Sequence, residues 1–424
     1  MLTRRSTARA PLAAILVVAC LVAACSSKDE GTQAGGGGTA TPKTNPDCKG
    51  EPLKFTSIAS TSGPLTVPSL VREGRNASIA AVNAVNAECA LGRPLEIDIC
   101  DDKSDPNQAA ACGRKANSDG SLALFGSSGG FDTGTTAAKL PGVMTAGGTV
   151  FDLTDPRSFS SNSGLTLVVG SGSVATTLKV KDNLTVAVDT AATRSFIETA
   201  KQLANANGIK LDTLFVPPDT TDWAPVAAQV SQRKPSSIGL ILPSPVPFIN
   251  ALDAEGITPK DVPVFTAVTL VSPEVLDKLG TKADGMYLLT QQAPPSDSSN
   301  PGVEQMLKEL KDAGVDANGA DLSPASTGAW ANVHALVDIL KKLPRSEIAS
   351  LDQAKLVDAM KDAGPVDRPE IAPFDFSKPA FPDIPALASL RIYSRDAMLV
   401  QVKDGKYVRA SDFSDATQPF KLDQ

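Results

Sequence analysis

An α/β protein built on two βα sheets is what the residue pattern predicts, and three observations carry it. Short apolar, β-branched segments alternate with amphipathic helical stretches in two successive series, the pattern of parallel sheets covered by helices. The chain has 32 Gly, 32 Pro and only 4% aromatic residues, which describes many turns and small residues where helices approach strands. Its 424 residues, 42% of them hydrophobic, suffice for roughly two to three domains with cores of their own.

Residues 1–24 hold Arg4, Arg5 and Arg9, no acid, and an apolar run from Pro11 to Ala24, the layout of a secretory signal. The run is shorter than the roughly 20 residues a spanning helix needs. It ends Leu21-Val22-Ala23-Ala24-Cys25-Ser26, which resembles the lipobox of bacterial lipoproteins and makes Cys25 the expected lipidated residue. The alternative is an ordinary signal cleaved after small residues, with Cys25 incidental. Residues 25–47, with Gly35 to Gly38 and no apolar periodicity, read as a flexible tether. Loss of the three arginines moves the net charge from −7 to −10. No basic block stands out, so nucleic acid is not an expected partner.

The first series follows. Lys54 to Ala59 reads as a strand, Leu70 to Ala90 as a helix and Leu95 to Ile99 as a second strand. Asp105 then caps a helix with Pro106 at its first position. Leu122 to Phe125, Thr133 to Leu140 and Gly142 to Thr145 continue as strand, helix and strand, with a further strand expected at Leu165 to Val169. Beyond Cys20 and Cys25 the chain keeps Cys48, Cys89, Cys100 and Cys112, an even number with three possible connectivities. A helix returning through a βαβ unit brings Cys89 to the end of the sheet where Cys48 enters. Cys100 and Cys112 lie together at the opposite end. The expected pairs are therefore Cys48 with Cys89 and Cys100 with Cys112. Without a CxxC pair and with one histidine, His334, zinc is not expected, nor is any other cofactor.

The second series runs Leu184 to Val188 (strand), Arg194 to Asn207 (helix), Leu211 to Val216, a helix at Ala224 to Arg233, Ser237 to Leu242, a helix ending at Gly256, Val262 to Ala267, a helix begun by Ser272 and Pro273, and Gly285 to Leu289. Helices at Val303 to Ala313, Thr327 to Leu343 and Leu351 to Ala363 have no strands between them and are expected to pack on an earlier sheet. Asp404-Gly405 marks a closing hairpin.

This order resembles the type I periplasmic binding-protein fold, in particular the branched-chain amino-acid-binding family that feeds ABC importers. The residues carrying the resemblance are Ser60-Thr61-Ser62-Gly63-Pro64, Ala80-Ala81-Val82-Asn83, the run from Leu95 to Pro106 leading into Ala109-Ala110, Phe125-Gly126-Ser127-Ser128, Asp219-Thr220-Thr221-Asp222-Trp223, and Ala283-Asp284-Gly285-Met286-Tyr287. It implies two Rossmann-like lobes joined by a hinge of three crossovers, with 48–168 plus 292–372 in one lobe and 169–291 plus 373–424 in the other. It further implies a small polar ligand, an amino acid or related amide, held in the interlobe cleft and delivered to an ABC importer permease by a lipid-anchored, extracytoplasmic monomer without enzymatic activity.

Ligands of open parallel sheets bind beyond the carboxyl ends of the strands. The expected contacts are Ser62 after the first strand, and Ser127, Ser128, Thr145, Ala146 and Gly147 on hydroxyl- and glycine-rich loops that resemble the family's carboxylate site. In the second lobe Asp189 and Ser244 are expected, with Thr269 and Gln291 at later strand ends. The loop Asp189-Thr190-Ala191-Ala192-Thr193 lacks the Tyr-Gly step of amino-acid-binding relatives, and Asp189 is a candidate for a ligand cation.

Two patterns suggest enzymes. Gly126-Ser127-Ser128-Gly129-Gly130 satisfies GxSxG, and Ser128 with His334 imitates a hydrolase. His334, however, lies at helical spacing among Trp330, Val333, Val337 and Leu340. Gly170-Ser171-Gly172-Ser173-Val174-Ala175 matches a dinucleotide-binding turn, but the following segment is too short for a crossover helix, so a lobe linker is expected there. The acids Asp98, Asp101, Asp102 and Asp105 lack calcium-loop spacing and read as a strand end and a cap. The alternatives to import are a sensor of the same fold and an exported serine hydrolase using Ser128. The anchor is tested directly: Cys25→Ser should move the protein from the membrane fraction to the soluble fraction. Wild-type protein without lipid by mass spectrometry would refute it.

Overall fold

The computed structural model describes residues 43–63, 68–126, 132–206, 208–242, 244–315, 318–319, 322–385 and 387–423. The leader, Cys25 and most of the tether lie outside them. The first series comprises β1 (Leu53–Ala59), α1 (Pro68–Ala87), β2 (Leu95–Asp101), α2 (Pro106–Ser118), β3 (Ala123–Phe125), α3 (Asp132–Ala138), β4 (Gly142–Thr145), α4 (Val150–Thr154) and β5 (Ser158–Ser160). Its five strands form a parallel sheet in the order β2-β1-β3-β4-β5. The strand order reverses beside β1, so the loops after β1 and β3 border a crevice.

The second series comprises α5 (Gly164–Thr177), β6 (Asp182–Val188), α6 (Ala191–Ala206), β7 (Lys210–Val216), α7 (Ala224–Arg233), β8 (Ile238–Ile241), α8 (Val246–Ala254), β9 (Val264–Ala267), α9 (Pro273–Leu279) and β10 (Tyr287–Thr290). The chain then returns to the first lobe through α10 (Pro301–Asp312), α11 (Pro324–Leu340), α12 (Arg345–Ala349), α13 (Gln353–Lys361) and the hairpin β11 (Pro365–Arg368)–β12 (Ile371–Asp375). It ends in the second lobe with β13 (Asp396–Lys403), β14 (Lys406–Arg409) and β15 (Ser414–Asp415). The second sheet is ordered β14-β13-β10-β9-β8-β6-β7, with β13 antiparallel to β10, β14 and β15.

Burial assigns the returning helices. Met306, Trp330, Leu336 and Leu356 share one core with Leu53, Phe55, Leu95 and Phe125. The second lobe has its own core around Val186, Leu240, Phe248, Leu288 and Val400. Both disulfides are as expected, Cys48–Cys89 and Cys100–Cys112, with Cα–Cα distances of 5.2 and 5.7 Å. Asp105 accepts from the Asn107 and Gln108 amides and caps α2.

Two expectations are corrected. Leu165 to Val169 is the first half of α5, capped by Ser163; a short apolar run does not by itself distinguish a buried helix from a strand. Gly170 to Ala175 is the interior of the same helix and not a linker. There Gly170 lets α5 approach β10, since a Cβ on it would lie 2.7 Å from Leu289 Cδ2. A lobe boundary at 168/169 would cut this helix, whose Val169 and Val174 pack with Leu289 and Leu399. Residues 161–163 join β5 of the first sheet to α5.

Gln291 joins the three crossovers. Its Oε1 accepts from the Ser163 amide at 2.7 Å, and its Nε2 donates to Ser394 Oγ at 2.9 Å and to the Asp396 carbonyl at 3.0 Å. Ser394 in turn donates to the Pro373 carbonyl at 2.9 Å. Gln291 is 3% exposed, so replacing it strands buried partners. Gln291→Leu should lose at least about 1–3 kcal/mol of unfolding free energy, measured by urea denaturation; an unchanged midpoint would show that the hinge does not depend on it.

Candidate functional site

The loops after β1 and β2 are braced against each other. Ser60 Oγ donates to Asp102 at 2.6 Å, and Ser62 Oγ donates to Asp101 at 2.6 Å. The Thr61, Ser62 and Lys103 amides also donate to Asp101, at 2.9, 3.1 and 2.9 Å. Desolvation pushes the Asp101 carboxyl up, but these hydrogen bonds outweigh it and hold the carboxyl at about 2. Gly63 has φ +104°, and a Cβ there would stand 2.2 Å from the Lys103 carbonyl oxygen, so only glycine lets the two loops meet this closely. The side chain of Ser62 is thus engaged within the loop.

The loop after β4 is committed in a similar way. Thr145 is buried and shares a 2.7 Å hydrogen bond with Ser160. Gly147 has φ +59°, with the Asn162 carbonyl oxygen 2.5 Å from where a Cβ would stand. The Gly148 and Thr149 amides donate to Asp152 at 3.2 Å each, completing the capping box of α4. The carboxylate of Asp152 therefore takes amide donors that an anionic ligand would need. Ser127 and Ser128 lie outside the described residues. Ala146 is exposed and lines a cavity.

In the second lobe Asp189 follows β6 and Ser244 follows β8, the two strands between which that sheet's order reverses. Asp189 pairs with Arg194 through two bonds of 2.6 and 2.7 Å, and the guanidinium lies 4.3 Å above the Phe215 ring. The Arg194 bonds hold the Asp189 carboxyl below the usual carboxylate range. Asp189 thus already has a cationic partner from the helix it precedes. Ser244 is exposed. Thr269, also exposed, lines the cavity, whereas Gln291 is the buried hinge tie.

The cavity has a volume of about 880 Å³ and is bordered by Ser60 and Thr61, Gly126, Ala146 and Thr269. Carboxamides that sequence reasoning did not select also line it, among them Asn162, Gln292 and Asn332. Asn162 belongs to the first crossover and Gln292 to the second. Asn332 accepts from Ser161 Oγ at 2.8 Å. The Asn162 side chain and the Gln292 amide nitrogen have no hydrogen-bond partner among the described residues, which leaves donors and acceptors facing the cavity. The only advance signal was the doubled Gln291-Gln292 directly after a strand.

His334 does not stand with the cleft loops. Its Nε2 is 3.0 Å from Glu309 Oε2, which also accepts from Trp330 Nε1 at 2.7 Å, and its ring lies 4.3 Å from that of Trp330. Among the described residues no cluster of three or more His, Cys, Asp or Glu side chains is arranged to hold a metal ion.

A family model described as periplasmic binding protein matches residues 52–406. A comparison with curated proteins gives no match. Solved structures do match. A solute-binding protein of an ABC transporter from R. palustris, in complex with benzoate, is 18% identical; the match covers 88% of this chain and 98% of that one, with a TM-score of 0.65. A fatty acid ABC transporter substrate-binding protein from Thermomonospora curvata is 17% identical over 88% and 95%, with a TM-score of 0.67. A leucine-binding protein from Thermotoga maritima is 15% identical over 85% and 97%, with a TM-score of 0.62. At these identities the likeness is one of fold.

The loop brace makes a pH-dependent contribution. Asp101 titrates near 3.8 when unperturbed and at about 2 in the folded chain. A folded pKa below the unfolded one gives stabilisation that is complete above the unfolded value and is lost as pH falls through the folded value. Asp155 and Asp383, held low by Arg157 and Arg395, act in the same direction. Melting temperature should therefore fall between pH 4 and pH 2, and Asp101→Asn should shallow that fall while lowering stability at pH 7. Parallel acid limbs in wild type and variant would refute the brace.

Proposed function

The chain belongs to the periplasmic binding protein family, and from that premise we propose that it is an extracytoplasmic solute-binding protein that captures a small polar ligand between its lobes and delivers it to an ABC importer. The lobes run from 48 and from the first crossover at 161–163, with later exchanges near 291 and 373. The ligand in this reading is an amino acid or a related amide, and Cys25 carries a lipid that keeps the monomer at the membrane.

One observation supports the reading most: the carboxamides of Asn162 and Gln292 stand on two crossovers and line a cavity walled by the first lobe and bordered by Thr269 of the second. A ligand bonded there touches the segments that bend when lobes close. Closure then needs no bond chemistry. It removes water from the carboxamides, strengthens their hydrogen bonds in the lower dielectric, and presents a closed surface to the permease. The neutral set of Thr61, Asn162, Thr269 and Gln292 offers both donors and acceptors, which suits the amide and carboxylate groups of such a ligand. Ala146, which lines the cavity, belongs to the first-lobe wall in this proposal, and Ser127, Ser128 and Gly147 remain its candidates from the sequence.

A thermal-shift screen of the mature protein against amino acids, amides and small carboxylates should find a ligand that raises the melting temperature. Calorimetry should then show Gln292→Ala and Asn162→Ala binding it about three- to tenfold more weakly. Unchanged affinity in both variants would move the site away from the hinge.

A further inference from the structure

We propose that the groove between α1 and β2 is a dock for this chain's own tether, with residues 37–42 lying extended in it beside the free edge of β2. The rest of the tether then leaves the body at the cleft end of the first lobe.

The cavity is elongated. From the hinge it follows α1 through Leu70, Gly74, Ser78, Val82 and Asn86, a stripe at helical spacing that runs about 24 Å along the helix. Opposite α1, consecutive residues from Pro94 to Ile99 line it. Side chains of a strand alternate between faces, so an uninterrupted run means that the strand's edge is open to the groove. β2 is the end strand of its sheet, and among the described residues no strand pairs with its outer side. Such an edge presents unpaired amides and carbonyls, which native proteins commonly cover with another segment. The walls mix half-buried Ile79, Ile97 and Ile99 with Arg75, Glu96 and Asp98. An alkyl chain has nothing to bond to the polar members of that set, whereas a polypeptide carries a donor and an acceptor on nearly every residue.

The described chain enters this groove and points along it. Cys48 is bonded to Cys89, just past the end of α1. Asn45 Nδ2 donates to the Asn86 and Ala87 carbonyls at 3.2 and 3.0 Å, and the Lys43 amide donates to Asn83 Oδ1 at 2.7 Å. Lys43, Thr44 and Asn45 themselves line the cavity. Each step back along the chain therefore moves toward the start of α1, so the tether runs antiparallel to β2. From Asn83 to Leu70 the helix covers about 20 Å, which about six extended residues span at roughly 3.4 Å each. Those residues are Gly37-Gly38-Thr39-Ala40-Thr41-Pro42, small enough for a narrow slot and with hydroxyls for its polar walls.

The dock changes where the anchor emerges. α1 begins beyond the carboxyl end of β1, where the cleft forms, while Cys48 sits at the opposite end of the sheet. On the importer reading above, a lipid on Cys25 then holds the cleft end of the first lobe toward the membrane that carries the permease. The hinge end of the cavity stays available to a compact ligand.

The test uses the full mature chain, residues 25–424 with Cys25→Ser, and the same chain carrying Thr39→Asp, Ala40→Asp and Thr41→Asp, whose acids Glu96 and Asp98 repel. In hydrogen exchange read by mass spectrometry, the peptide covering Leu95 to Asp101 should exchange at least about tenfold more slowly in the parent than in the triple variant. Two further chains carry a trypsin site, Ala34→Arg in the free part of the tether and Thr39→Arg in the docked part. Cleavage at position 39 should be at least about tenfold slower than at position 34. Equal exchange with and without the three acids, or equally fast cleavage at 34 and 39, would overturn the dock. Protection of β2 that rises with protein concentration would also overturn it, by assigning the edge to a second copy. These outcomes leave the ligand screen untouched, and a failed screen bears on the importer reading alone.

Discussion

The carboxamide of Gln291 is the constraint on which the two-lobed arrangement depends. Three segments pass between the lobes, and a side chain with two donors and one strong acceptor contacts the other two from its place on the second. Because the group is buried, each of these bonds replaces water that is not available, and a missing partner would be costly. The backbone follows the same plan: the Ala372 amide donates to the Gln291 carbonyl at 2.9 Å, and the Ala293 amide donates to the Glu370 carbonyl at 2.8 Å. The crossovers thus keep a common register. In extended chain adjacent side chains point opposite ways, so anchoring Gln291 inward turns Gln292 toward the cavity.

The loops at the strand ends solve a different problem. They are rich in hydroxyls and glycines, but most of these groups stabilise the loops themselves. Ser62 serves Asp101, Thr145 serves Ser160, and the Gly148 and Thr149 amides serve Asp152. A loop that presents a rigid wall must satisfy its own backbone and side chains. Among the polar groups that line the cavity, the carboxamides of Asn162 and Gln292 stand on the crossovers. Asp189 shows the same economy in the second lobe, since the nearest cation is Arg194 of the helix it precedes.

Much of the fold was legible in advance because its signals are local. Helix starts at Asp105 and Ser272, the Asp404-Gly405 turn and the alternation of strands with helices all follow from neighbouring residues. The disulfide pairing was also legible, since the direction of a βαβ unit settles which cysteines share an end of the sheet. The short strand Ser158–Ser160 and the hairpin of β11 and β12 were not, because a few polar or Pro-containing residues become strands only through their partners. Helix α5 was misread as strand and linker for a related reason: Leu165 to Val169 is too short a run, with Thr166 its one polar residue, for its period to separate helix from strand.

By itself the sequence determined the α/β class, two series of elements, the cysteine pairs and the strand ends at which a cleft forms, since each depends on spacing along the chain. Tertiary structure decided which polar groups at those ends remain available. Asp101 and Ser62 are 39 positions apart, Ser163 and Gln291 128 apart, and Ser161 and Asn332 171 apart. Whether a hydroxyl or amide faces a ligand or a neighbour depends on such distant partners, and hydrogen bonds between them form only when the folded chain brings them within about 3 Å.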